Sequence, residues 1–327
     1  MNTSNKAVRY GLKKAFDYIE KNPEQNMVKI MDWVDHLAGD NPDTLPKQRA
    51  AVRAVINDPD SSMHRLILRI LKNTDTEVMK AAFENFFLNA AVTGWPRQEA
   101  MRKKHGCNIP WAILMDPTSA CNLHCTGCWA AEYGNKLNLT FDEMDSIITQ
   151  GKELGIYMYI YTGGEPLVRR DDLIALCSKH HDCQFLTFTN GTLIDEEFAK
   201  QMLRVKNLIP AISVEGFEED TDGRRGRGTF EKVTAAMEIL RKNRLPFGIS
   251  CCYTSRNLDS ISSDAYFDQM IDWGADFVWY FHYMPVGNDA APELMPSPSQ
   301  REYMYHKLRR VRSTKPIFAM DFQNDAE

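Results

Sequence analysis

From Trp111 onward the chain alternates short β-rich runs with helical patterns, and this alternation constrains the fold more than any other feature. The runs are Trp111–Met115, Tyr157–Tyr161, Phe185–Phe188, Ile209–Val214, Phe247–Tyr253 and Phe277–Tyr283, with a weaker one at Ile317–Met320. Helical patterns at Phe141–Leu154, Glu196–Val205, Phe230–Arg241, Asp264–Trp273 and Gln300–Val311 fill the intervals. Strands that alternate with helices imply βαβ units and a parallel sheet. The best helix start is Thr140 with Glu143 three residues on, a capping box ahead of Met144, Ile147 and Ile148. Residues 109–327 therefore read as an α/β core, either a doubly wound sheet or a partial, TIM-like (β/α) barrel of six or seven units.

Residues 1–108 follow a different period. Tyr10, Leu12, Ala15, Phe16 and Ile19 recur at helical spacing, as do Leu66, Ile67, Ile70 and Leu71. A Pro- and Asp-rich connection spans Gly39–Pro46, a second turn spans Asp58–Ser62, and Val78–Ala91 is a third helix candidate. No catalytic constellation falls in this stretch. It reads as an all-helical packing or capping region.

Charge narrows the functional classes. Against 39 Lys and Arg stand 44 Asp and Glu, a net charge of −5, which disfavours a non-specific grip on a phosphate backbone. The most apolar stretches, such as Ile156–Tyr161, fall far short of the ~20 residues that span a bilayer. The N-terminus, MNTSNKAVRYGLKK, has no apolar h-region of a secretory signal. Eight cysteines in 327 residues are too sparse for a disulfide scaffold. The expected compartment is the cytosol.

Three of those cysteines nevertheless crowd into eight residues: Cys121, Cys125 and Cys128, spaced CxxxCxxC. Three soft thiolates on one loop suit an iron–sulfur cluster or zinc. Structural zinc wants four ligands, and only Cys107 and His124 stand nearby as a fourth. A [4Fe–4S] cluster held by three cysteines leaves one iron open. The second motif is Thr162-Gly163-Gly164-Glu165-Pro166, directly after the second strand. Its glycines allow close backbone approach to a ligand, and its carboxylate can accept bonds from an amine.

The cysteine triplet followed by Trp129, with GGEP one βα unit later, resembles the radical S-adenosylmethionine (SAM) superfamily and is similar to its MoaA/SPASM-type branch. The likeness runs from about Trp111 to the C-terminus. It implies that Cys121, Cys125 and Cys128 hold a [4Fe–4S] cluster whose fourth iron is chelated by SAM. It also implies that Gly163, Gly164 and Glu165 hold the SAM amino group. On the same ground, Asn190, Ser213 and Glu215 are expected to contact SAM from the ends of strands three and four. Met284 is expected beside the adenine. The implied activity is reductive cleavage of SAM to a 5′-deoxyadenosyl radical that abstracts hydrogen from a substrate left open: a small molecule, a lipid or a peptide. The implied partner is a flavodoxin- or ferredoxin-like electron donor. Neither nucleic acid nor a membrane span is expected.

Strand order supports this expectation, because ligands of parallel barrels sit at the C-terminal ends of strands, where these residues fall. Other features read as structural. Gly223–Gly228 is a basic, glycine-rich segment without the G-K-[ST] ending of a phosphate loop, and is expected to be solvated unless Arg225 or Arg227 pairs with a carboxylate. Cys177, Cys183, Cys251 and Cys252 read as structural, His180 and His181 as a helix end, and His282 as a pocket histidine. Related enzymes often carry a cysteine-rich extension beyond the barrel. No cysteine follows Cys252 here, so a chain lacking auxiliary clusters, or a fragment, is expected.

Overall fold

The computed structural model describes residues 11, 14–38, 46–130, 134, 136–287 and 289–325. Tyr10, Leu12 and most of the Gly39–Pro46 connection lie outside the described residues. Seven strands form one sheet in sequence order: β1 (Ala112–Met115), β2 (Met158–Tyr161), β3 (Gln184–Thr189), β4 (Leu208–Ser213), β5 (Gly248–Tyr253), β6 (Phe277–His282) and β7 (Phe318–Asp321). Each neighbouring pair is parallel. The order β1 to β7 is that of a barrel, but β7 does not pair with β1, so the sheet is a curled half-barrel. This is the partial barrel, and it excludes the doubly wound alternative.

The helices begin with α1 (Pro23–Ala38), α2 (Pro46–Ile56), α3 (Ser62–Asn73) and α4 (Thr76–Ala82). A π-helix (Phe83–Gly94) continues α4 and leads into α5 (Trp95–His105). The connections between strands supply α6 (Phe141–Leu154), α7 (Arg170–Lys179), α8 (Glu196–Val205), α9 (Glu218–Arg225), α10 (Thr229–Lys242), α11 (Leu258–Ile261), α12 (Asp264–Trp273) and α13 (Pro298–Thr314). The Thr140–Glu143 capping box forms on α6, and Gly155, at φ +93°, ends that helix as a left-handed C-cap.

Period-two alternation divides the strands between two environments. Tyr159, Phe185, Ile249 and Tyr280 pack outward against the helices, where Met144, Ile148, Phe198 and Leu240 are completely buried. The opposite residues, Ile160, Leu186, Phe188, Ala211 and Trp279 among them, line the concave face in a cluster of strand residues alone. Helices α1 to α3 have a separate small core around Met27, Met31 and Ile56. Arg69 clasps this region to the sheet, donating to the carbonyls of Ala275 (2.6 Å) and Pro316 (3.1 Å).

Two expectations need correction. The segment after Ala91 does not stop: the π-helix and α5 carry helical structure on to His105, through Pro96. Gly223–Gly228 is not a solvated loop. Gly223 sits inside α9, while Gly226 (φ +101°) and Gly228 (φ +79°) make the turn into α10. Acidic Glu218, Glu219 and Asp220 in the first turn complement the α9 dipole, and the arginines near its end are bound elsewhere.

Candidate active site

All strands being parallel, the loops after β1, β2, β3, β4 and β6 share one rim, and every expected site residue lies there. Cys107 does not. It precedes β1 at the opposite end of the sheet and is exposed, so it is no fourth ligand.

The cysteine loop and the GGEP turn are built as one piece. The Gly164 N–H donates to the Thr118 carbonyl (2.9 Å) and the Glu165 N–H to the Ala120 carbonyl (2.8 Å). The Thr162 N–H donates to Met115 (2.9 Å), continuing the β1–β2 pairing past the strands. A Cβ on Gly164 would lie 2.3 Å from the Ala120 oxygen, and Gly163 has φ +112° with the Thr118 oxygen 2.7 Å from its Cβ position. The two glycines are therefore required by the approach of the segment that carries Cys121.

Glu165 is 1% exposed. One carboxylate oxygen accepts from Thr189 Oγ1 (2.6 Å) and the Leu167 N–H (2.9 Å), the other from the Asn190 N–H (2.7 Å). Burial pushes its carboxyl up, although the Thr189, Asn190 and Leu167 bonds and Arg225 oppose the shift. Asn190 carries the chain of contacts back to the cysteines: its Nδ2 lies 2.7 Å from Asn122 Oδ1 and 4.0 Å from Cys121 Sγ. The ends of β1, β2 and β3 are thus tied together around Cys121.

A second knot surrounds Cys125. Glu215 is completely buried. It accepts from Arg224 Nη1 (2.7 Å) and Arg225 Nε (2.9 Å) through one oxygen, and from the Cys252 N–H (3.0 Å) through the other. Burial alone would raise its carboxyl, but Arg224 and Arg225 override it and hold the group below the ordinary range. Arg225 Nη1 also lies 3.9 Å from Cys125 Sγ, and the Thr126 N–H donates to the Arg224 carbonyl (2.9 Å). Two guanidinium groups on one carboxylate leave one net positive charge beside the cysteine loop. Arg227, the other arginine singled out from the sequence, is exposed and outside this network.

Sequence reasoning missed Arg224, Thr189, Asn122 and Asn257. Asn257 Nδ2 donates to the Glu215 and Cys252 carbonyls and so fixes the rim at β4 and β5. The available signal was position alone for Thr189, Asn122 and Asn257, polar residues at or beyond strand ends, whereas Arg224 lies near the end of α9. Ser213 lies at the end of β4, half-buried, and Met284 is exposed past β6. His282 is half-buried against the Tyr253 ring, and burial lowers its pKa. A cleft of about 840 Å³ opens on the outer flank of the cysteine loop, with Asn122 and Thr192 in its wall.

The profile of the radical SAM superfamily matches residues 115–262, a span that contains the three cysteines, the GGEP turn and the Glu215 network. Over 200 residues the chain is 32% identical to the AdoMet-dependent heme synthase of Methanosarcina barkeri, covering 59% of this chain and 57% of that protein. Residues 115–262 form a radical SAM domain. Among its relatives is also the cysteine-type anaerobic sulfatase-maturating enzyme of Clostridium perfringens, 31% identical over 167 residues and covering 45% of each protein. The solved structure of Streptococcus suis SuiB bound to S-adenosylmethionine has the same fold, with a TM-score of 0.57 at 17% identity over 69% of this chain and 54% of SuiB. The chain spans 57% and 44% of the length of two Methanosarcina relatives, the heme synthase and the Fe-coproporphyrin III synthase.

Radical SAM enzymes use a [4Fe–4S] cluster and SAM, and the donor set here fits them. All eight cysteines are free, and Cys121, Cys125 and Cys128 are partly buried on one loop. Among the described residues no three His, Cys, Asp or Glu side chains converge on a single-ion sphere. A cubane instead gives each thiolate its own iron, so its ligands need not meet at a point. Burial raises the Cys121 and Cys125 thiols, the latter against Arg225 and Arg224, so cluster loading must displace protons.

Proposed function

We propose that this enzyme performs radical SAM chemistry at the β1–β4 rim, with Cys121, Cys125 and Cys128 as cluster ligands. The cluster with bound SAM would supply reductive cleavage to a 5′-deoxyadenosyl radical that abstracts hydrogen from the substrate. The observation that carries this reading is the backbone zipper between the Thr118–Ala120 segment and the Gly163–Glu165 turn, with Asn190 bridging to Cys121.

In this reading the carbonyl groups of the Gly163–Glu165 turn and the Glu165 carboxylate receive the SAM ammonium. Glu165 also holds the turn to β3, so its part is orientation as much as charge. Asn190 and Ser213 contribute polar contacts from neighbouring strand ends, and Met284 borders the adenine. Glu215 acts through its arginines: with both oxygens engaged, it aims Arg225 at the cysteine loop. The half-barrel wall excludes water from one side of the reacting atoms.

We further propose a division into a helical region (1–108) and a radical SAM core (109–327), a cytoplasmic location and a flavodoxin- or ferredoxin-like electron donor. Among the described residues no helix is long and apolar enough to cross a membrane. The substrate remains open among a small molecule, a lipid and a peptide. The test is anaerobic reconstitution with iron and sulfide, then incubation with SAM and dithionite. Brown protein that forms 5′-deoxyadenosine supports the proposal; colourless protein holding one zinc overturns it.

A further inference from the structure

The π-helix Phe83–Gly94 is amphipathic in the wrong sense for a helix covering a core. Its buried side is polar or small: Asn85, Asn89, Ala90 and Gly94. Asn85 Nδ2 donates to the His181 and Cys183 carbonyls (both 3.0 Å), and Asn89 Nδ2 to the Asp182 carbonyl (2.8 Å). Gln98, in α5, adds a bond to the Gly155 carbonyl (2.9 Å). These partners are the loops before β3 and β2, so the helix caps the N-terminal end of the half-barrel, opposite the cysteine rim. The outward side carries Phe86 (49% exposed), Phe87 (42%), Val92 (47%) and Trp95 (49%). Trp111 (41%) joins them, its ring 5.6 Å from Phe86 edge to face.

Large exposed apolar patches mark interaction sites, and the flanking charge says which kind. Helix α5 carries Arg97, Arg102, Lys103 and Lys104 against one acid, Glu99, a net +3 within a chain of −5. Lys103 and Lys104 are exposed and make no ion pair among the described residues. Protein–protein interfaces are depleted of lysine, whereas helices that lie on membrane surfaces combine Trp and Phe with Lys and Arg.

We propose that this face docks on an anionic lipid bilayer. Phe86, Phe87, Val92, Trp95 and Trp111 enter the headgroup boundary, and Lys103 and Lys104 meet the phosphates. The cysteine rim, at the far end of the strands, stays accessible to an electron donor.

The test is co-sedimentation of the cluster-loaded protein with phosphatidylcholine–phosphatidylglycerol vesicles, with pure phosphatidylcholine vesicles as the comparison. Partitioning onto the mixed vesicles is expected, weakening with salt. Phe86→Ser and Trp95→Ser should each reduce it about tenfold, and Lys103→Gln and Lys104→Gln about fivefold each. Trp33→Ser, an equally exposed tryptophan on α1, should leave it unchanged. Iron content and circular dichroism confirm that the variants are folded and loaded. Absence of partitioning by the unaltered protein overturns the proposal, as does partitioning that the patch variants leave intact. A dimer that Phe86→Ser dissociates, with no lipid binding, assigns the face to a second copy and overturns it too.

Discussion

Replacing Glu215 with glutamine keeps the shape of the side chain and removes the only acid that, among the described residues, holds Arg224 and Arg225. The two guanidinium side chains are 15% and 12% exposed and the carboxylate is fully buried, so solvent cannot take over its role. Breaking a buried ion pair by removing one partner costs about 3–5 kcal/mol. Here both arginines lose their counter-charge together, which places the expected loss toward the upper end of that range. Because Glu215 sits below its ordinary value of 4.5, its contribution is complete above that pH and fades only as pH falls through the depressed folded-state value. At pH 7 the full loss should therefore appear, and the gap between the two proteins should narrow under acid. Anaerobic urea unfolding followed by tryptophan fluorescence reads the stability. Hydrogen exchange at the Thr126 N–H, bonded to the Arg224 carbonyl, reads whether the cysteine loop loosens with it. A loss below about 1 kcal/mol with unchanged Thr126 protection would refute the reasoning, since an exposed ion pair behaves that way.

Other consequences follow from the same geometry. Cys125→Ala should abolish SAM cleavage and deplete reconstituted iron, whereas Cys177→Ala and Cys183→Ala, both in the outer core, should leave iron per chain unchanged. Gly164→Ala places a methyl 2.3 Å from the Ala120 carbonyl, so the turn must part from the cysteine segment; iron content and SAM affinity should fall together in reconstitution and equilibrium binding. Asp276, where burial outweighs Arg69 at 3.5 Å, has its carboxyl raised from 3.8 to about 6. Its folded-state pKa being the higher one, the stability it contributes is present below 3.8 and lost as pH rises through about 6. Asp276→Asn should then exceed the unaltered protein by up to about 3 kcal/mol at pH 8, with the gap closing toward pH 4 in thermal unfolding scans.

Much of the core was legible because its helices announce their ends. Thr140 with Glu143, Gly155 and the apolar runs between them mark β1–α6–β2 to within a residue, and α8 and α12 match their expected bounds. The π-helix was harder to delimit, since its polar residues face inward and its aromatic residues outward, against the rule that periodicity uses. Helix α9 was hidden by Gly223 and by arginines that read as solvated until Glu215 is seen to bind them. The cysteines and GGEP were legible as motifs, but their physical relation was not. By themselves the two glycines read as an opening toward a ligand, and nothing local reveals that Thr118–Ala120 passes against them. Thr189 reaches Glu165 and the Cys252 N–H reaches Glu215 from strands 24 and 37 residues away in the chain, so only the folded sheet discloses these partners.

The central claim is that the cysteine loop and the Gly163–Glu165 turn form one unit that presents a cluster to SAM. Electron paramagnetic resonance of the dithionite-reduced protein, recorded before and after adding SAM, tests it most directly. A reduced [4Fe–4S] signal whose g-values shift on SAM addition, and which Cys125→Ala eliminates, is the predicted result. A cluster signal that SAM leaves unchanged, or that persists in Cys125→Ala, would contradict the account.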